Sequence, residues 1–176
     1  SNVDLVYICT PNALHYEQIK LCLSYGKHVI CEKPMVKNEE QVRELFALAR
    51  EKGCFLMEAE KTMFTPLNVK LKQMVENGVI GKLHAIRAEF SFDVLKDVDA
   101  DHWVLGKEMG GSAYDIGVYP ISFSHFFADS KVSEFETQKL PHPKFPCDFG
   151  MQSHIRYENG VDAFLQSNWY YTPEHK

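Results

Sequence analysis

The stretch Val29-Ile30-Cys31-Glu32-Lys33-Pro34 decides how the rest of the sequence is interpreted. The apolar run from His28 to Cys31 predicts a buried strand, and this strand ends in an acid, a base and a proline. In an open parallel sheet, ligands bind at the carboxyl ends of the strands, so charged residues placed there suggest a site. Taken alone, the stretch is equally compatible with a strand that ends in a solvated Glu-Lys pair and a turn.

Alternating strand and helix signals surround this stretch. Continuous apolar runs predict strands at residues 3–9, 28–31 and 54–57, with helices at about 13–25 and 38–52 between them. Short connections of this kind are typical of parallel βαβ units in an α/β fold. We therefore expect the loops after the three strands to meet at one crevice. Their polar residues are Thr10, Asn12, His15, Glu32, Lys33, Glu58 and Glu60.

The pattern changes near residue 60. An antiparallel strand with one exposed face is predicted at 82–92, because small or apolar residues alternate there with polar ones. Glu158-Asn159-Gly160 predicts a hairpin. The other elements expected are helices at 64–77 and 112–127 and strands at 132–139, 149–157 and 161–169. The predicted fold class is α/β: a partial parallel sheet over residues 1–60, then an α+β domain with a largely antiparallel open sheet over 61–176.

Composition argues against several classes of protein. Hydrophobic residues make up 45% and charged residues 24%, which is ordinary for a soluble globular chain. A net charge of -5 gives no positive surface for nucleic acid, and no apolar run approaches the ~18 residues of a membrane span. The five cysteines show no CxxC spacing and the eight histidines do not fall at ligand spacings with them, so no metal site is expected. We expect a reducing, cytoplasmic setting.

A second candidate site lies in the sequence GGSAYDIGVYP at residues 110–120. On a continuous helix, Asp115 and Tyr119 are four residues apart and project from the same face. Gly111 and Gly117 remove bulk where another group must approach closely. Glycines and a proline within a helical pattern contradict local propensity, as is expected at functional sites. The alternative is an ordinary core helix with a hydrogen-bonded tyrosine.

Taken together, these motifs resemble the glucose–fructose oxidoreductase/inositol dehydrogenase (Gfo/Idh/MocA) family. The resemblance covers nearly the whole chain and implies oxidoreduction of a sugar, polyol or diol with NAD(H) or NADP(H). It also implies a Rossmann domain and a second domain whose open sheet forms a homodimer or higher homo-oligomer. The motifs that carry it are Thr10-Pro11-Asn12 with His15, Glu32-Lys33-Pro34, and Gly110-Gly111 with Asp115, Gly117 and Tyr119.

The resemblance also implies roles for individual residues. Lys33 matches the catalytic lysine, and Asp115 matches an aspartate that orients the substrate or the acid/base. Tyr119 stands where many members have histidine, so the sequence is similar to the glucose–fructose oxidoreductase and dimeric dihydrodiol dehydrogenase branches. The residues implied to border the cofactor are Thr10, Pro11, Asn12, His15, Glu32, Lys33 and Pro34.

Elementary acid–base chemistry is consistent with these roles. A free tyrosine has a pKa near ~10, too high for a base near neutral pH, and a lysine cation within hydrogen-bonding range lowers that pKa. We therefore expect Tyr119 to act as the acid/base, Lys33 as its electrostatic partner that polarises the substrate oxygen, and Asp115 as the orienting residue. Glu58 or Lys61 could also line the substrate pocket. Trp103, Trp169, Tyr170 and Tyr171 could stack on a sugar, although a core or interface role is favoured for them.

A glycine-rich phosphate-binding turn is missing from the sequence. No Gly-x-Gly-x-x-Gly occurs, and in doubly wound folds this motif follows the first strand. Ser1-Asn2 directly before the first strand resembles a cut point, so we expect an N-terminally truncated chain that binds a dinucleotide weakly by itself. Two alternatives remain open: a non-catalytic regulatory member of the same fold, and a dimerisation module that uses the strands at 82–92 and 149–169.

Overall fold

The computed structural model describes residues 2–171. The first residue of the predicted first domain and the last five residues of the predicted second domain therefore lie outside the described residues. The chain forms two compact units, Ser1–Ala59 and Glu60–Lys176. Among the described residues, none of the helices combines the length and the apolar character that a membrane crossing requires.

The first unit is a three-stranded parallel sheet in the order β1-β2-β3 with two helices. The strands are parallel, as the succession of strands and helices predicted, and Leu5 pairs with His28 and Val29 with Leu56. One face of the central strand is covered, and its core packs Ile19 and Leu23 against Val29. Ile30 on the opposite face is only half-buried, so the predicted burial of this strand holds for one face. The elements are β1 (Leu5–Ile8), α1 (His15–Ser24), β2 (His28–Cys31), α2 (Glu39–Glu51) and β3 (Leu56–Glu58).

Local sequence signals set the helix ends of this unit. The side chain of Asn38 accepts a hydrogen bond from the backbone N–H of Gln41 at 3.0 Å and caps α2. Gly26 and Gly53 follow α1 and α2 with φ of +68° and +63°, a conformation that glycine adopts at little cost.

The second unit is built on a four-stranded sheet in the order β4-β7-β6-β5. β5, β6 and β7 are antiparallel neighbours, and the predicted hairpin is present, with Gly160 at φ +84°. The predicted fold class is therefore confirmed. The elements are α3 (Pro66–Glu76), β4 (Ala85–Ser91), α4 (Ser112–Asp115), α5 (Val118–Ala128), β5 (Val132–Pro141), β6 (Asp148–Tyr157) and β7 (Asp162–Asn168).

The direction of β4 differs from the prediction. β4 pairs parallel with β7, from Ala85 opposite Asp162 to Ser91 opposite Asn168, so the antiparallel prediction was wrong. Alternation of polar and apolar residues reports that one face is exposed, but it carries no information on the direction of the neighbouring strand.

The two faces of this sheet differ in their cover. Ile86, Ala163 and Leu165 lie on one face and form a buried core with Phe127 and Ala128 of α5. The opposite face carries mainly polar side chains that remain partly or fully exposed. Among these are Arg87, Glu89, Gln152, His154, Arg156, Asp162, Phe164 and Gln166.

Candidate active site

The Glu32-Lys33-Pro34 segment directly follows β2, as predicted. Glu32 and Lys33 are half-buried, Pro34 is buried, and the Lys33–Pro34 peptide bond is cis. Ile8 pairs with Cys31 and Cys31 pairs with Glu58, so the segments after all three strands lie at one edge of the sheet. The structure thus confirms the predicted convergence of the three strand ends.

His15 ties two of these segments together. Its ring has no exposed surface; Nε2 lies 2.8 Å from the carbonyl oxygen of Thr10, and Nδ1 lies 3.0 Å from the carbonyl oxygen of Pro34. Asn12 is also buried, and the Thr10 hydroxyl donates to Gln18 at 2.7 Å. The predicted cofactor-binding residues of the first loop are thus held against the Pro34 segment.

Glu32, directly after β2, and Glu58, at the end of the neighbouring strand β3, each accept a hydrogen bond through the side-chain carboxylate. The hydroxyl of Tyr7 donates to the carboxylate of Glu32, and this hydrogen bond raises the pKa of Tyr7 to about 12. The carboxylate of Glu58 accepts from the backbone N–H of Met35 at 2.6 Å. Burial, together with the charges of Glu58 and Glu32, raises the pKa of the Cys31 thiol to about 12, so this thiol stays protonated at neutral pH.

The predicted helix over residues 112–127 is two helices in the structure. α4 ends at Asp115, and the N–H of Gly117 donates to the carbonyl of Ser112, five residues back, at 2.8 Å. This widened turn interrupts the helix, so the predicted continuous helix over residues 112–127 was wrong. Pro120 falls in the first turn of α5, where its missing N–H leaves no intrahelical hydrogen bond unmade.

The glycines of this stretch allow close approach, as predicted, but the approaching groups belong to the protein itself. Gly111 has φ +101°, and a Cβ at this position would lie 2.7 Å from Oδ1 of Asp148. A Cβ on Gly117 would lie 2.6 Å from the carbonyl oxygen of Ala113. Oδ2 of Asp148 accepts from the N–H of Ala113 at 2.8 Å. Asp148 therefore fixes the start of α4.

Sequence reasoning missed Asp148. The residue lies directly between the buried residues Cys147 and Phe149 and is itself only 9% exposed. A carboxylate within a buried segment needs a partner, and this is the signal that could have identified it.

Tyr119 lies near the start of α5 and is half-buried. Its backbone N–H donates to the carbonyl oxygen of Ile116 at 3.2 Å, and its ring packs edge-on against the ring of Phe90 with 5.2 Å between the ring centroids. Asp115 is also half-buried, and its backbone N–H donates to the carbonyl oxygen of Gly111 at 3.0 Å. Tyr119 borders a cavity of about 350 Å³ in the second unit, whose other lining residues include Thr62, Asn68, Arg87, Phe90 and Phe123.

The weaker candidates fall into different environments. Trp169 has no exposed surface and packs against Phe149 at 5.6 Å, so it belongs to the core. Glu60 is 6% exposed; its Oε1 accepts from the N–H of Thr62 at 3.3 Å, and its Oε2 has no hydrogen-bond partner within residues 2–171. Over the same described residues, no group of three or more His, Cys, Asp and Glu side chains is arranged to hold a metal ion.

Comparison with known families matches both units. Residues 1–60 match the model of an oxidoreductase family with an NAD-binding Rossmann fold, and residues 68–176, more than half of the chain, match the GFO/IDH/MocA C-terminal domain. The chain belongs to the Gfo/Idh/MocA family. The Glu32-Lys33-Pro34 segment lies within the region that matches the NAD-binding Rossmann model, and the glycine-rich α4 segment lies within the region that matches the C-terminal domain model.

Individual relatives support this membership. The chain is 42% identical over 122 residues to the trans-1,2-dihydrobenzene-1,2-diol dehydrogenase of Mus musculus, which covers 69% of the chain and 36% of that protein. It is 36% identical over 129 residues to the D-xylose 1-dehydrogenase (NADP(+)) of Hypocrea jecorina, covering 69% of the chain and 33% of that protein.

A solved structure shows the same fold over both units. The 3-ketoreductase of Actinomadura kijaniata, determined in complex with NADP and TDP-benzene, superposes with a TM-score of 0.83 at 31% identity, covering 97% of the chain and 52% of that protein. The chain therefore spans about a third to a half of the length of these relatives.

Proposed function

We propose that the protein carrying this chain is an NAD(H)- or NADP(H)-dependent oxidoreductase. It transfers a hydride between the nicotinamide and a carbinol or carbonyl carbon of a sugar, polyol or diol. The observation that carries the proposal is the Glu32-Lys33-Pro34 segment, which is held at the carboxyl edge of a parallel sheet in a chain of the Gfo/Idh/MocA family.

The residues of the first unit fit the nicotinamide end of such a cofactor. Buried and half-buried polar residues follow β1 and β2 at the edge where open α/β sheets bind their ligands. Thr10, Pro11, Asn12, Glu32 and Lys33 would border the cofactor, which when bound supplies the site that accepts or donates the hydride. His15 would act by holding these segments in place, because its ring is fully buried between two carbonyl oxygens. Pro34 would shape the Lys33 segment.

The proton that leaves the substrate hydroxyl would pass to Tyr119. A lysine ammonium near a tyrosine favours the tyrosinate, and it also polarises the substrate oxygen. We assign Lys33 to these two tasks and Asp115 to the orientation of the substrate or of Tyr119. The broken helix supports the assignment of Asp115, because Asp148 and the glycines fix the segment that carries it.

Turnover by the complete natural protein tests the proposal. The protein is incubated with NAD⁺ or NADP⁺ and a panel of trans-diols, aldoses and cyclic polyols, and the reduced nicotinamide is followed by its absorbance. We expect turnover of at least one class with one of the two cofactors. No turnover in either direction, together with no binding of reduced cofactor, would favour the non-catalytic alternative.

We also propose that the protein forms a homodimer through the open face of the second sheet. Phe164 is 46% exposed at the centre of that face, stacked on His154 with 4.7 Å between centroids. Arg87 and Arg156 lie among acidic side chains on the same face, so two copies related by a two-fold axis can place opposite charges together. Sedimentation of Phe164→Asp as a monomer beside a dimeric wild type would support this; a wild-type monomer would refute it.

We propose a reducing, cytoplasmic location as well. All five cysteines are free thiols, including the buried Cys31 and Cys147. Recovery of the native protein in the cytosolic fraction of its cells tests this location.

A further inference from the structure

Three side chains from three different elements contact the residues on either side of Lys33. Tyr7 of β1 binds the carboxylate of Glu32, and His15 of α1 lies 3.0 Å from the carbonyl oxygen of Pro34. Glu58 of β3 accepts from the N–H of Met35 at 2.6 Å. We infer that Glu58 is a positioning residue for Lys33. This inference rests on the proposed function, in which Lys33 acts in catalysis.

The carboxylate of Glu58 supplies the hydrogen-bond acceptor for the buried backbone N–H of Met35. Met35 is 4% exposed and lies outside any helix or strand, so its N–H has no partner from regular secondary structure. Buried backbone N–H groups are almost always paired. The pairing of β3 with β2 places Glu58 opposite Cys31, and the N–H of Ala59 donates to the carbonyl of Cys31 at 2.7 Å. The base of the Glu58 side chain is thus fixed next to the Lys33 segment.

The acceptor at this position is a charged one. A hydrogen bond to a carboxylate is stronger than one to a neutral acceptor, so Glu58 holds Met35 more firmly than an amide side chain would. Gln at position 58 would keep the acceptor at the same reach without the charge, whereas Ala would remove it. This series separates the hydrogen bond from the charge and from the bulk of the side chain.

Loss of this contact is expected to affect the chemical step. Lys33 lies two residues before Met35, so movement of that backbone displaces the lysine ammonium. Displacement of a catalytic group by about 1 Å can reduce the rate about 100-fold. We expect Glu58→Ala to lower kcat about 10- to 100-fold with a change in KM of less than about twofold. Glu58→Gln should recover most of the loss.

A measurement without cofactor or substrate reports the contact directly. Amide hydrogen exchange at Met35, read by NMR on the complete natural protein, should accelerate about 10- to 100-fold in Glu58→Ala, since a hydrogen bond to a charged group is removed. Glu51→Ala is the matched control, because Glu51 is an exposed carboxylate in the same unit that pairs with Lys52 at 3.0 Å. That variant should leave both exchange and kcat unchanged.

The kinetic experiment compares Glu58→Ala, Glu58→Gln, Glu51→Ala and Lys33→Met in the complete protein. Faster exchange at Met35 with a lowered kcat in Glu58→Ala, and recovery in Glu58→Gln, supports the role. Wild-type kcat in Glu58→Ala beside an inactive Lys33→Met overturns the role of Glu58 and leaves the proposed function intact. Wild-type turnover by Lys33→Met overturns the proposed function, and with it this role. If Glu58→Ala does not fold, Glu58→Met replaces it, because it removes the acceptor and keeps most of the bulk; unaltered exchange at Met35 and unaltered kcat in that variant overturn the role.

Discussion

Replacement of Gly111 by alanine should destabilise the second unit strongly. Gly111 has φ +101°, and an alanine Cβ there would lie 2.7 Å from Oδ1 of Asp148. The backbone conformation alone costs a non-glycine residue about 1–3 kcal/mol. Relief of the overlap moves the Asp148 carboxylate off the N–H of Ala113, a charge-assisted hydrogen bond worth about 1.5–3 kcal/mol. Together these terms predict a loss of about 2.5–6 kcal/mol, a large part of the about 5–15 kcal/mol that stabilises a typical domain.

Gly160→Ala is the matched control for this change. Gly160 has φ +84°, and a Cβ there would meet no atom within 4 Å, so only the conformational cost of about 1–3 kcal/mol applies. Guanidinium unfolding followed by tryptophan fluorescence measures both variants, since Trp169 is fully buried in the second unit. In an Asp148→Ala background the extra cost of Gly111→Ala should shrink. Equal destabilisation by Gly111→Ala and Gly160→Ala would refute the role given to Asp148.

Three further predictions concern residues of the first unit. At pH 8, iodoacetamide should modify the exposed Cys9 but not Cys31, whose buried thiol has a pKa raised to about 12; equal labelling by mass spectrometry would contradict this. His15→Leu should destabilise the unit by about 1–3 kcal/mol in urea unfolding, because a carbonyl oxygen bound by the ring loses its N–H donor; a loss below about 0.5 kcal/mol would count against it. The Tyr7 hydrogen bond to Glu32 should stabilise the fold fully below pH ~10, the pKa of Tyr7 in the unfolded chain, and this stabilisation should be lost as the pH rises through about 12, its pKa in the folded chain. Tyr7→Phe should therefore remove this part of the pH dependence of the free energy of unfolding. The same pH dependence in Tyr7→Phe and in the wild type would contradict the prediction.

Periodicity alone predicted the elements of this fold well. The apolar runs at residues 3–9 and 28–31 form parallel strands, and the predicted helix start near residue 38 coincides with the cap that Asn38 provides to α2. These features depend on neighbours within a few positions of the chain. The direction of β4 depends on which strand lies beside it, a long-range property that alternation does not record.

The candidate site was predictable as a set of residues but not as a structure. The Lys33 segment was placed correctly at a strand end, whereas its three anchors involve residues 19 to 25 positions apart in sequence. The break between α4 and α5 was missed because Gly117 and Pro120 signal irregularity without saying where the hydrogen bonds shift. Asp148 was missed because its partner, Ala113, lies 35 positions away.

The most direct test of the central claim is the turnover number of Lys33→Met and Tyr119→Phe in the complete natural protein, measured with its preferred nicotinamide cofactor and diol or sugar. Lys52→Met and Tyr25→Phe are matched controls, since Lys52 and Tyr25 are exposed residues of the first unit. Loss of a general acid/base or its partner predicts a fall in kcat of about 100-fold or more for each site variant and none for the controls. Near wild-type turnover by both Lys33→Met and Tyr119→Phe would contradict the account.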